Sequence, residues 1–167
     1  DALATPGEYE IRASKLGFST EVADISLSAG ENLSGVDFEL SIVYEGEFCS
    51  SPGLFIGDNS TVNDVMNVSL GAAVTELAVY VNITHTYQGD LIVSLTSPEG
   101  TLVTLHNRTG SGTDNIIGWY PDDIAPAGNL DDFIGETADG DWTLTISDNA
   151  GGDTGTLNEW CLRITYA

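Results

Sequence analysis

Basic residues are scarce in this chain of 167 residues, where four lysines and arginines stand against 26 aspartates and glutamates. The formal net charge is −22. A surface that binds phosphates needs clustered lysine and arginine, so the composition excludes nucleic acid as a partner and disfavours anionic membranes. No run of 18 apolar residues occurs, so we predict no membrane insertion.

Short catalytic motifs are also missing, since the chain contains no GxSxG, HExxH, P-loop or GxGxxG sequence. The only histidines are His85 and His106, and a triad needs a histidine oriented by a carboxylate beside a nucleophile. Asp90 follows His85 closely enough to leave a triad formally open. Two carboxylates could serve a glycosidase, yet nothing marks a particular pair. We therefore expect this chain not to be an enzyme.

Cysteine is limited to Cys49 and Cys161, neither of which lies in a CxxC motif, and no histidine cluster suggests zinc. Cys49 precedes the main body and Cys161 lies in the last strand-like run, so a disulfide would join the two ends of one domain; two unpaired thiols are the alternative. Five N-x-S/T sequons are glycosylation candidates, at Asn32, Asn59, Asn67, Asn82 and Asn107. Together these features favour an extracellular or cell-surface location.

Apolar residues alternate with polar residues through most of the chain, and no long segment has the helical period. Each alternating run predicts a half-buried strand. The runs begin near residues 9, 25, 36, 77, 91, 142 and 160 and are separated by glycine- and aspartate-rich turns. Trp142 and Trp160 alternate with aliphatic residues and are predicted core anchors. The pattern predicts an all-β sandwich with one helical turn near residues 129–133.

A domain boundary is predicted near residues 42–48. Residues 1–42 contain three predicted strands, too few for an independent sandwich, whereas residues 43–167 are sufficient for a complete core. The first segment must therefore dock on the main body, pair with another chain, or be the tail of a truncated domain.

Acidic residues are concentrated in loop-like sequence, with 11 acids and no basic residue between positions 109 and 162. They could form a solvated coat, or they could bind Ca²⁺, which prefers oxygen ligands. The predicted ligands are Asp90, Asp122, Asp123, Asp148 and Asp153, with Asp131 and Asp132 as a further acidic pair. The DNAGGD sequence at 148–153 is no EF-hand, because small residues occupy ligand positions and no helices flank it.

Several motifs recur in order between residues 49 and 165: FIGDN at 55–59, ITHTYQGDL at 83–91, LTSPEGT at 95–101, GDWTLTISD at 140–148 and GTLNEW at 155–160. This region resembles the P domain of subtilisin-like proprotein convertases. The resemblance implies a jelly-roll β-sandwich without catalytic residues, which usually follows and stabilises a protease domain. It also implies that His85 is a structural residue.

Residues 7–40 resemble the end of a transthyretin-like carboxypeptidase regulatory module, through GEYEI at 7–11 and GVDFEL at 35–40. The first strands of such a module are absent, and open sheet edges are sites of pairing with another chain.

Three functional hypotheses follow. The first is a non-catalytic, extracellular, calcium-stabilised β-sandwich with a structural or assembly role, such as a surface or filament subunit that self-associates through its N-terminal strands. The second is an accessory domain that stabilises a secreted subtilisin-like or metalloprotease, with adjacent domains as partners. The third is a carbohydrate- or protein-binding module that uses Trp119 and Tyr120 as an aromatic platform.

Overall fold

The structure is a computed structural model that describes residues 6–16, 18, 20–29, 36–40 and 42–167. The chain forms two compact units, one of residues 1–44 together with Ala167 and one of residues 45–166. The domain boundary near residues 42–48 stays a prediction.

The first unit contains an antiparallel hairpin of β1 (Gly7–Ala13) and β2 (Glu21–Leu27). The predicted strand that begins near residue 36 is wrong for the residues described, because residues 36–40 are irregular and Ile42 forms only an isolated bridge with Phe18. The alternation of apolar and polar residues gives this segment one apolar face. A strand also needs a neighbouring strand to accept and donate its backbone hydrogen bonds. The sequon at Asn32 lies outside the described residues.

The second unit is a sandwich of two antiparallel sheets. One sheet has the order β5-β10-β7-β8, and the other has the order β3-β11-β6-β9 with β4 also paired to β11. The strands are β3 (Tyr44–Ser50), β4 (Leu54–Ile56), β5 (Thr61–Val68), β6 (Val74–His85), β7 (Leu91–Thr96), β8 (Leu102–Asn107), β9 (Ile116–Tyr120), β10 (Gly140–Asp148) and β11 (Gly155–Tyr166). The predicted all-β sandwich is confirmed.

The core of the sandwich consists of the inward residues of both sheets, as the two-residue period requires. Trp142 on β10 and Trp160 on β11 are fully buried, as predicted. The Trp142 ring meets Phe133 edge-on at 5.3 Å, and its indole nitrogen donates to the Ala138 carbonyl at 2.9 Å. Phe133 belongs to the short 3-10 helix Leu130–Phe133, which the sequence predicted at this position.

A disulfide between Cys49 on β3 and Cys161 on β11 joins two adjacent strands of the five-stranded sheet. Of the two alternatives left open by the sequence, the structure has the bonded pair. Within the described residues, the helices are too short to cross a membrane.

Candidate functional site

Four loops meet at one end of the sandwich and form what we call the loop cluster. They are the β4–β5, β6–β7, β8–β9 and β10–β11 connections. Backbone hydrogen bonds join the second loop to the third, from Gln88 to Thr113 and from Gly89 to Ser111, each at 2.9 Å. The fourth loop bonds to the second through the Asn149 amide and the Asp90 carbonyl, also at 2.9 Å. Hydrogen bonds therefore connect these loops to one another, although the sequence predicts only separate turns.

The fourth loop contacts the first loop, β4–β5, through an aspartate. The Gly152 amide donates to Oδ1 of Asp58 at 3.0 Å, and the Asp148 amide donates to the Ser60 carbonyl at 2.8 Å. Glycine at 152 has a φ of +117°, which side chains rarely adopt. The glycine-rich turn at residues 148–153 thus lies directly against another acidic loop.

His85 and Asp148 form a fully buried pair beneath the loop cluster. Nε2 of His85 lies 3.2 Å from Oδ2 of Asp148, and both side chains are 0% exposed. Nδ1 of His85 faces the Tyr87 backbone, and Oδ1 of Asp148 accepts the Ala150 amide at 3.1 Å. Both ring nitrogens have partners, so His85 positions the loop that follows β6 and is not free to act as a base.

His106 is similarly engaged, with Nε2 3.0 Å from the Gln88 carbonyl and Nδ1 3.4 Å from the Thr109 hydroxyl. Burial lowers the pKa of His106 below its ordinary value, because the imidazolium form is poorly solvated. Both histidines thus contact the β6–β7 loop and hold it in place.

Asp90 is the acid of the loop cluster that lacks a partner. It is only 6% exposed, and its carboxylate makes no hydrogen bond or ion pair with any residue that the structure describes. The nearby Arg108 donates from Nε to the Gly89 carbonyl at 3.0 Å. The Asp90 carboxylate borders an open depression that Arg108 also lines, so a cation from solvent could reach it.

Asp90 and Asp153 line the same open depression, which has a volume of about 350 Å³. Oδ1 of Asp153 accepts a hydrogen bond from the Thr86 hydroxyl at 2.5 Å. Of the five predicted calcium ligands, the structure thus brings Asp90, Asp148 and Asp153 to the loop cluster. Asp148 already has a partner on each oxygen, which leaves Asp90 and Asp153 as the carboxylates best placed to bind a cation.

Asp122 and Asp123 lie elsewhere, in the turn after β9, and have structural partners. Asp122 forms an ion pair with Arg163, and this hydrogen bond raises the pKa of the arginine. Oδ2 of Asp123 accepts the Trp119 amide at 2.9 Å. The structure does not bring these two acids to Asp90, because β9 runs from the loop cluster to the other end of the sandwich.

One group of three potential metal-ligating side chains has its ligand atoms within 4.8 Å of one another, among the residues described. It consists of Glu47 and the two cysteines of the disulfide, whose sulfurs are no longer thiolates. This group is therefore no metal site.

The proposed aromatic platform is only partly present. Tyr120 is fully buried, and burial raises the pKa of its hydroxyl to about 12. The half-buried Trp119 has the Arg163 guanidinium over its ring at 4.6 Å, and the Tyr80 ring lies 5.4 Å away. Because of this burial and these contacts, Trp119 and Tyr120 do not present two exposed aromatic rings to a ligand.

The remaining sequons lie on β-strands or turns of the sandwich. Asn59, Asn67 and Asn107 are exposed, whereas Asn82 is half-buried and accepts a hydrogen bond from Asn158 at 3.2 Å. Glycosylation of these four residues stays a prediction.

Asp64 is a structural acid that the sequence reasoning missed. Its Oδ2 accepts the Trp160 indole N–H at 2.8 Å and the Ser50 hydroxyl at 2.6 Å. The signal was present in the alternation of β5, where residues 62, 64, 66 and 68 share the inward face.

Comparison with known proteins finds relatives among proteases. The chain is 37% identical over 116 residues to leupeptin-inactivating enzyme 1 of Streptomyces exfoliatus, covering 70% of this chain and 23% of that protein. It is 36% identical over 114 residues to a calcium-dependent protease of Nostoc sp., covering 63% and 17% respectively. The chain therefore spans less than a quarter of the length of these curated relatives.

A solved serine protease of Aeromonas sobria shares the fold, with a TM-score of 0.58, 17% identity, and coverage of 100% of this chain and 38% of that chain. The resemblance of residues 7–40 to a transthyretin-like module stays a prediction. Residues 74–164, more than half of the sequence, match the proprotein convertase P-domain family. This chain belongs to that family.

Proposed function

We propose that this chain is a non-catalytic accessory domain of an extracellular protease, which it stabilises. The observation that carries the proposal is the P-domain match over residues 74–164, since the relatives are much longer proteins named as proteases or enzymes. The engaged ring nitrogens of His85 and His106 support a non-catalytic role. The disulfide supports an oxidising, extracellular setting.

The coding sequence that surrounds this chain tests the proposal first. A protease domain in the same reading frame is expected, and deletion of residues 45–166 from that polypeptide should shorten the half-life of its protease activity at elevated temperature. An open reading frame without a protease domain would refute the accessory role.

Calcium is the second part of the proposal. Asp90 and Asp153 would hold the ion, with Asp148 orienting the loop through His85. The support is the partnerless carboxylate of Asp90, the hard oxygen donors of the loop cluster, and a relative named as a calcium-dependent protease. Bound calcium would give the Asp90 carboxylate the direct partner that it lacks among the described residues.

A thermal melt at fixed ionic strength tests the calcium site. At calcium concentrations about 100 times Kd, binding to the folded state contributes about 2.7 kcal/mol. For a domain of this size we expect the midpoint to rise by roughly 8 °C relative to excess EDTA. An unchanged midpoint would mean that the acids form only a solvated coat.

The variant Asp90→Asn sharpens this test, because it removes one negative charge from the acidic loop cluster. It should melt above the wild type in EDTA and lose the response to calcium. The control Asp132→Asn alters an exposed acid at another site and should respond as the wild type does. An Asp90→Asn variant with a full calcium response would exclude Asp90 as a ligand.

Assembly through the N-terminal unit is a second candidate function. None of the described residues between positions 6 and 44 is buried. The apolar residues Ile11, Ile25 and Leu27 of this unit are only half-buried. A two-stranded hairpin is marginally stable by itself, so a partner strand would stabilise it. Electron microscopy and size-exclusion chromatography at high concentration test this; monodisperse monomers would refute it.

A further inference from the structure

The disulfide of the sandwich joins one exposed cysteine to one buried cysteine. Cys49 on β3 is exposed to solvent, whereas Cys161 on β11 is only 4% exposed. A thiolate that reduces a disulfide attacks one of its two sulfurs, and access decides which sulfur that is. The two halves of this bond therefore differ in their availability to a reductant.

The position of the bond in the sheet strengthens this difference. In the order β3-β11-β6-β9, the strand that carries Cys49 is at the edge and the strand that carries Cys161 is not. Tyr80 on β6 is the cross-strand neighbour of Cys161, so the two side chains share one face of the sheet. A thiolate approaches a sulfur in line with the bond that breaks, from the side away from the leaving sulfur. That line passes the sheet edge beyond Cys49, but it runs towards Tyr80 beyond Cys161.

Strand β3 has few other anchors to the sandwich. None of its seven residues is buried, because the alternation leaves four exposed and three half-buried. Phe48 packs against the core, and the Ser50 hydroxyl donates to Oδ2 of Asp64 at 2.6 Å. An edge strand has a neighbouring strand on one side only. The disulfide therefore contributes a large part of the attachment of β3 to the sheet.

The surroundings of Cys49 are acidic, which restricts the chemistry of the reductant. Oε1 of Glu47 lies 3.9 Å from Sγ of Cys49. The nearby cation Arg163 is already paired with Asp122 and Glu45, so it does not neutralise Glu47. An attacking thiolate is itself negative, and each further negative charge on the reductant slows its approach by about fivefold at a separation of roughly 4 Å in water. Reductants with neutral or cationic groups beside the thiol are therefore favoured.

We propose that the Cys49–Cys161 bond is a thiol–disulfide exchange site, attacked at Cys49 by a neutral or cationic dithiol, and that its reduction releases β3 from the sheet. The exposed sulfur, the edge position and the weak anchoring of β3 carry this inference, which does not depend on the accessory function. Release of β3 would leave part of β11 without a neighbouring strand. Such an open edge accepts a strand from another chain.

The exchange proceeds in two steps. First, the thiolate of the reductant forms a bond to Sγ of Cys49 while the Cys49–Cys161 bond breaks. The electron pair of the broken bond leaves on Sγ of Cys161, which takes a proton from water. In the second step, the other thiol of the reductant attacks the reductant sulfur of this mixed disulfide and leaves its proton with Cys49. Two electrons thus pass from the dithiol, which becomes a cyclic disulfide, to the protein, which gains two thiols.

The first experiment identifies the attacked sulfur. The oxidised 167-residue chain is treated with cysteamine, a cationic monothiol, and the reaction is quenched with acid at an early time so that the mixed disulfide does not close again. Peptide mass spectrometry should find about tenfold more mixed disulfide on Cys49 than on Cys161. Equal amounts on the two cysteines, an excess on Cys161, or no exchange in the folded chain would overturn the proposal.

The second experiment measures selection by charge, with 3-mercaptopropionate as the anionic monothiol. Each rate constant is referred to the thiolate concentration and divided by the value for a small neutral disulfide, which removes differences in intrinsic nucleophilicity. At low ionic strength cysteamine should react about tenfold faster, and Glu47→Gln should lower this ratio about threefold. The control Asp132→Asn alters an exposed acid at another site and should leave the ratio unchanged. A wild-type ratio near one, or equal effects of the two variants, would contradict the proposal.

The third experiment follows β3 by hydrogen exchange and mass spectrometry. In protein kept reduced by dithiothreitol, a neutral dithiol, the amides of Tyr44–Ser50 should exchange at least about tenfold faster than in the oxidised protein, while those of β10 remain protected. The double variant Cys49→Ala with Cys161→Ala should exchange fast in β3 with or without dithiothreitol. Unchanged exchange in β3 on reduction would refute its release. An equal loss of protection in β10 would mean that the whole sandwich opens, and it would refute the local release as well.

Discussion

At the scale of single residues, several acids of this protein are structural and not merely solubilising. Asp64 accepts the indole N–H of the buried Trp160, and Asp139 accepts the backbone amides of Leu70 and Gly71. The amides lower the pKa of Asp139, because they stabilise its charged form. Composition alone cannot separate such acids from a solvated coat, since the distinction depends on which donors lie nearby.

The variant Asp64→Ala tests this distinction. It leaves the Trp160 N–H buried without an acceptor, so we expect the free energy of unfolding to fall by about 1–3 kcal/mol. Urea denaturation measures the change. The control Asp141→Ala removes an exposed acid whose carboxylate accepts from Asn67, and it should change stability by less than about 0.5 kcal/mol. Equal losses in the two variants would contradict the structural role of Asp64.

At the scale of elements, the strand β11 approaches β6 so closely that its first residue must be glycine. A Cβ atom at Gly155 would lie 2.2 Å from the Thr84 carbonyl oxygen and 2.6 Å from the His85 ring. This contact positions the end of β6, and with it His85, below the loop cluster. The packing of two strands therefore determines where the histidine and its aspartate meet.

Gly155→Ala is expected to destabilise the sandwich by about 1–3 kcal/mol or more, because backbone cannot give way as a flexible side chain can. It should also alter the environment of His85, which two-dimensional NMR of the imidazole protons would report. The neighbouring Gly151→Ala makes only an ordinary contact, with Asn59 at 3.4 Å, and should have a small effect. A Gly155→Ala variant of unchanged stability would refute the close packing.

At the scale of the whole molecule, one covalent bond closes most of the second unit. The disulfide joins residues 112 positions apart, and it links β3 to the last strand. In the chain-entropy model, a disulfide that closes a loop of about 100 residues raises the free energy of the unfolded chain by about 4.7 kcal/mol. The bond therefore offsets part of the repulsion expected at a net charge of −22.

Replacement of both cysteines by alanine should lower the free energy of unfolding by about 4–5 kcal/mol. Guanidinium denaturation under oxidising conditions measures this loss. The wild type with its disulfide reduced should then unfold at nearly the same denaturant concentration as the double variant. If the double variant were as stable as the oxidised wild type, the bond would contribute nothing to stability.

Much of the fold follows from local pattern. The alternation at Leu77, Val79 and Val81 predicts β6 because a strand exposes successive side chains to opposite faces. The same argument fails for Val36, Phe38 and Leu40, where no paired strand is seen. Of the five predicted calcium ligands, three lie in the loop cluster and two in a distant turn, because sequence proximity to other acids does not report which loops meet.

The sequence by itself determined that the protein is an acidic β-sandwich of the P-domain family, because periodicity, turn residues and ordered motifs are local properties. Only the tertiary structure decided which acids accept hydrogen bonds within the sandwich and which acids come together at one end of it. Asp58, Asp90 and Asp148 lie far apart in the sequence, and hydrogen bonds join their loops because all three loops lie at the same end of the sandwich. Long-range strand pairing sets that arrangement.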